Sequence, residues 1–100
     1  MQQKDSNTYT IDSSVMIDDI LEEFELELEN IGFDIAEFST ETVSYILTHT
    51  LERFPEVGEV VTFPITKAGE PTEETLEFRV LDMTETKIGK IEVKRQKKIS

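Results

Sequence analysis

One hundred residues, 37% of them apolar, provide for a single modest core and not for two. There is no cysteine, which rules out a disulfide framework, thiolate metal sites and thiol nucleophiles, and no apolar run nears the roughly 18 residues of a membrane-spanning helix. The net charge of −12 is lopsided, with twelve acids against one base (Lys4) in residues 1–50 and ten against nine in residues 51–100; such an acidic half repels phosphates and argues against nucleic acid as a partner.

In chain order, residues 1–8 are polar, carry no hydrophobic signal region, and are expected to be a linker or disordered. Tyr9-Thr10-Ile11-Asp12 alternates as a short strand does, and Ser13 and Ser14 then offer helix-capping oxygens. Ile17, Ile20, Leu21 and Phe24 share one helical face, with Asp18 and Asp19 in a first turn whose dipole favours carboxylates. Strict alternation over residues 25–29 predicts that this helix ends between Phe24 and Leu28. Residues 30–40 read as a connector tucked against the core, and Ser39 or Thr40 caps a second helix behind which Glu41 follows.

That second helix organises the chain. Val43, Ile46, Leu47, Leu51 and Phe54 recur at steps of three and four on one stripe, Pro55 closes the run, and Gly58 permits a turn into a strand at residues 59–64. Residues 66–74, with Gly69 and Pro71, read as an exposed loop. Residues 76–80 alternate as a strand with one wet face, residues 84–87 as a turn, and residues 88–93 as a last strand with a bulge at Gly89. The basic residues 94–100 are expected to fray. The order β-α-α-β-β-β predicts an α+β fold, two amphipathic helices packed on a small, mostly antiparallel sheet, with the domain at residues 9–93 and a basic tail at 94–100.

No catalytic constellation can be assembled from these residues. His49, the one histidine, sits off the apolar stripe without a second metal ligand or a positioned proton-transfer partner. Ser13, Ser14, Ser39 and Ser44 lack the strand–turn–helix setting of a serine nucleophile. Asp18 with Glu22 and Asp19 with Glu23 are neighbouring carboxylate pairs, and hard cations such as Mg²⁺ or Ca²⁺ take oxygen ligands. No EF-hand loop accompanies them, so a solvated acidic face is the plainer reading of those four residues. Tyr45, on the polar side of its helix, can anchor a partner. Lys94, Arg95, Lys97 and Lys98 are the one cationic cluster, suited to anionic lipid headgroups or to the acidic half of this or a neighbouring domain.

Three blocks of the chain resemble the CorC/HlyC transporter-associated domain. Tyr9-Thr10-Ile11-Asp12 with Ile17-Asp18-Asp19-Ile20-Leu21 is similar to that family's first strand and helix. Glu41-Thr42-Val43-Ser44-Tyr45-Ile46-Leu47, running on to Phe54-Pro55-Glu56-Val57-Gly58-Glu59, is similar to its signature of a glycine pair followed by proline and then glycine with an acid. Phe78-Arg79-Val80-Leu81 with residues 87–93 is similar to its closing hairpin. Ser44-Tyr45 stands where the family has its two glycines. The resemblance implies a non-enzymatic cytosolic domain at the cytoplasmic face of the cell membrane. It would regulate magnesium- and cobalt-type transport, with the CBS and transmembrane domains of its parent chain as partners. It also implies a fold related to a subdomain of FAD-binding oxidases. On that analogy alone FAD or an adenine nucleotide is a conceivable ligand, although neither a GxGxxG turn nor a P-loop is present and no cofactor is predicted.

Overall fold

The computed structural model describes residues 1–85 and 87–97. Alternating apolar and polar side chains form β2 (Thr8–Asp12), β3 (Val60–Lys67), β4 (Glu70–Val80) and β5 (Lys90–Lys97), joined at one edge by β1 (Gln2–Asp5). They make one antiparallel sheet in the order β1-β2-β5-β4-β3. The register sets Tyr9, Val93, Phe78 and Val61 in one row across four strands, and Ile11, Ile91 and Val80 in the next. Since side chains alternate faces, both rows fall on the same side, and all seven residues are buried. On the other side Glu92 lies opposite Arg79 and Lys94 opposite Glu77, pairings of opposite charge that suit a wet face.

The dry face is covered by α1 (Ile17–Glu23), a 3-10 turn (Leu28–Ile31), α2 (Ile35–Phe38) and α3 (Val43–Leu51). Ile17, Ile20 and Leu21 of α1 and Val43, Ile46 and Leu47 of α3 are buried, each worth roughly 1.5–3 kcal/mol. The starts of α1 and α3 are laced together, with Ile17 N–H donating to Glu41 O (2.9 Å) and Val43 N–H to Val15 O (2.9 Å).

The expected α+β arrangement holds, with several local differences. Residues 2–5, expected to be loose, pair with β2, Gln2 opposite Thr10; an all-polar edge strand held by its backbone leaves no hydrophobic pattern to read. The expected loop at 66–74 is a two-residue hairpin turn, with Ala68 (φ 51°) and Gly69 (φ 79°) both left-handed. Pro71 is tolerated because β4 there pairs with β3 before β5 begins opposite Glu74. The tail through Lys97 continues β5, while Lys98 and Thr86 of the expected turn lie outside the described residues.

The caps also differ. Met16 precedes α1 without a side-chain cap, since Ser13 donates to Ile88 O and Ser14 to Asp12. Thr42, rather than Ser39 or Thr40, caps α3 by accepting from Tyr45 N–H at 3.1 Å. α3 stops at Leu51 because Glu52 turns left-handed (φ 57°). Phe54 therefore leaves the stripe for solvent, while Pro55 is buried.

Gly89 marks a close approach and not a bulge. Its N–H donates to Asp82 O (3.0 Å), and the Asp82 carboxylate accepts Lys90 N–H at 2.7 Å directly over it, so that an added Cβ would overlap that carboxylate. Gly89→Ala is expected to cost about 1–3 kcal/mol in a urea titration. A denaturation midpoint equal to that of the wild type would contradict this packing.

Candidate functional site

The charge divides by layer. Residues 13–59, which carry the helices, hold thirteen acids against the single base Arg53, whereas residues 1–12 and 60–100 hold nine acids and nine bases. The whole excess of negative charge thus lies on the helical side, and the sheet is balanced. An array of this kind projects a one-signed field from one side of the molecule.

Within that layer the four carboxylates of α1 part company. Asp18 and Glu22 border an open groove of about 530 Å³ with Glu25, Glu27 and Ile35. Glu23 instead accepts the Tyr9 hydroxyl at 3.2 Å. Among the described residues no three Asp, Glu or His side chains converge in the manner of a metal site.

A second hollow, of about 500 Å³, opens beside the start of α3 and is lined by hydroxyls of Ser13, Ser14, Thr42, Ser44 and Thr84 with Lys87 and Asp12. A helix start holds a nucleotide or FAD phosphate through free N–H groups. Here they are taken: Val43 N–H donates to Val15 O, Ser44 N–H to Ser13 O (3.1 Å), and Tyr45 N–H to the Thr42 hydroxyl. Asp12 adds an anion at the rim, its carboxyl held below the usual range by the backbone N–H and hydroxyl of Ser14. The start of α3 therefore offers a phosphate none of these three backbone donors.

Tyr45 is exposed and stacks on His49, with ring centroids 5.8 Å apart, and the His49 ring meets the edge of Phe38 at 5.1 Å. The lone histidine is thus an exposed ring resting on Tyr45 and Phe38. The cationic cluster is also split. Lys94 and Lys97 are exposed, but Arg95 is tied inward, its Nε and Nη2 donating to Glu74 (2.7 and 3.1 Å) and its Nη1 to Phe24 O (2.7 Å). This clasp fastens the end of α1 to β4 and β5.

The loop after α3 was not legible as a surface feature. The Arg53 guanidinium grips Glu59 through both terminal nitrogens, and Glu59 also accepts Glu56 N–H at 3.0 Å. Those contacts, Arg53 first, hold the Glu59 carboxyl below its ordinary pKa. Gly58, at φ 88°, donates to Val80 O (2.8 Å), and Val80 N–H donates back to Glu59 O (3.0 Å). The proline–glycine–acid signature is a hydrogen-bonded clasp, and Phe54 and Val57 project from it.

The CorC_HlyC family, described as a transporter associated domain, matches residues 2–97. Among solved structures the chain is similar to the CorC_HlyC domain of a Corynebacterium glutamicum protein described as a hemolysin, with a TM-score of 0.76, 18% identity, and coverage of 95% of this chain and 97% of that one. It is similar to the transporter-associated domain from Nitrosomonas europaea (TM-score 0.65, 24% identity, 96% and 94% covered). It is also similar to a region associated with a Neisseria meningitidis protein described as an Mg²⁺ and Co²⁺ transporter (TM-score 0.66, 20% identity, 95% and 96% covered). At these identities the likeness is one of fold. No curated protein matches the chain.

Arg95 provides a direct check on the packing of the helical layer. Its bonds hold the Glu74 carboxyl below the ordinary range, so the stabilisation is complete above the unfolded carboxylate pKa and is lost as pH falls through the lower folded value. Arg95→Met is expected to cost roughly 1–3 kcal/mol at neutral pH, with the gap to wild type narrowing in denaturant titrations below about pH 4. A gap independent of pH would contradict the clasp.

Proposed function

Because the chain belongs to the CorC_HlyC transporter-associated family, we propose that it is a non-enzymatic docking domain through which a CBS-domain membrane protein regulates magnesium- or cobalt-type ion transport at the cytoplasmic face. The family match over residues 2–97 is the observation that carries this reading.

The shape and charge of the domain support it. No helix among the described residues is long and apolar enough to cross a membrane, so this part of the chain meets a transporter through its surface. The helical layer, with thirteen acids and one base, is repelled by anionic headgroups and turns toward protein, while the exposed Lys94, on the opposite face of the sheet, suits the lipid side. The α1 carboxylates Asp18, Asp19, Glu22 and Glu23 then act as part of that repelling, protein-facing surface. Any hold they have on Mg²⁺ or Ca²⁺ is weak and dependent on ionic strength.

Deleting residues 2–97 from the natural gene, and following Mg²⁺ and Co²⁺ fluxes in cells, tests the reading. The truncated transporter is expected to reach the membrane and to differ several-fold in flux, or in the ion concentration at which flux responds. Unchanged flux at equal membrane abundance would overturn it.

A further inference from the structure

We propose that the loop at residues 54–58 is the docking element of this domain. Its occupant would be an apolar patch rimmed by lysine or arginine on the cytosolic portion of the transporter. The inference rests on the docking reading above and goes further by assigning the surface and the chemistry of its partner.

Phe54 and Val57 are 60% and 61% exposed, more than any other large apolar side chain among the described residues, and Leu81, next to the strand end that the loop grips, is also exposed. The chain buries Pro55 here and leaves most of the larger Phe54 in water. The loop is not slack. Arg53 and the Glu56 N–H bond Glu59 across its base, and the Gly58 N–H bond to Val80 O ties it to β4. Two apolar side chains presented in solvent from a hydrogen-bonded backbone are anchors whose loop needs little ordering on binding.

The rim selects the occupant. Glu52 and Glu56 flank the anchors and are exposed, and Arg53, the one base of the helical layer, is neutralised by Glu59. A basic rim on the partner complements those carboxylates. An anionic bilayer is repelled by them. So is a second copy of a chain whose net charge is −12.

The test places the photo-cross-linker p-benzoylphenylalanine at Phe54, and in a control at the exposed Glu73 of the β3–β4 hairpin, in the natural transporter in its own membrane. A cross-link from position 54 to an apolar protein segment flanked by Lys or Arg, lost at position 73, supports the proposal. A cross-link to lipid, a cross-link to the same loop of a second copy, or none at all overturns it. In parallel, the double variant Phe54→Ser/Val57→Ser is expected to leave the melting temperature of the hundred-residue chain unchanged and to shift ion flux as the domain deletion does. If deletion shifts flux and the double variant does not, the docking reading stands and this surface fails. If deletion itself has no effect, the docking reading fails first. A lowered melting temperature would show the two side chains to be structural and would also overturn the proposal.

Discussion

Everything in this domain depends on one apolar contact, the rows of β2, β5, β4 and β3 pressed against the stripes of α1 and α3. Tyr9, Val93, Phe78 and Val61 lie in one row and Ile11, Ile91 and Val80 in the next, and Ile20, Leu21, Ile46 and Leu47 cover them. The sheet has a single dry face, so the helical connection between β2 and β3 must cross that face, and it carries the acidic residues to the opposite surface. β5 then pairs on both sides, with β2 near the start of the chain and with β4. Closure therefore joins residues more than eighty positions apart, the kind of non-local pairing that slows folding.

Charge follows from that layering. Thirteen acids and one base over residues 13–59 repel one another in the folded state, a cost that burial beneath them must offset. Two of the three arginines mark where the layer is fastened: Arg95 of the sheet holds the end of α1, and Arg53 holds the loop behind α3. Each brings together segments that the apolar core alone would leave free to shift, and each lowers the pKa of the glutamate it grips. The same acids that strain the helical layer give it a sign that a partner can read.

Much of this was legible in the sequence where burial imposes a period. The stripes on α1 and α3 and the alternation of β2 and β4 came through because each has one wet and one dry side. β1 was silent because Gln2, Gln3, Lys4 and Asp5 are all exposed and polar, held by backbone pairing with β2 and by the Lys4–Glu92 bridge, neither of which leaves a hydrophobic period. The hairpin at Ala68-Gly69 was hidden because Pro71 reads as a breaker, whereas β4 at that point lacks a second neighbour. Phe54 was misplaced because its spacing continues the stripe of α3; a left-handed Glu52 and a buried Pro55 override that spacing, and neither has a periodic signature. Among the candidate site residues, Tyr45 lies off the buried stripe of α3, as its spacing indicates, and is 44% exposed. Arg95 was grouped with its basic neighbours because sequence proximity cannot show that a long side chain has turned inward to Glu74 and Phe24 O.

The most direct test of this layering is the effect of a soluble paramagnetic agent on the NMR signals of the methyl and aromatic groups. Ile46, Leu47, Val93 and Phe78 are expected to stay sharp while Val57 and Phe54 broaden strongly. Protection of Phe54 together with Leu47 would mean that α3 continues past Leu51 and that the clasped loop does not exist. Broadening at Ile46 and Leu47 would mean that the helices do not cover the sheet.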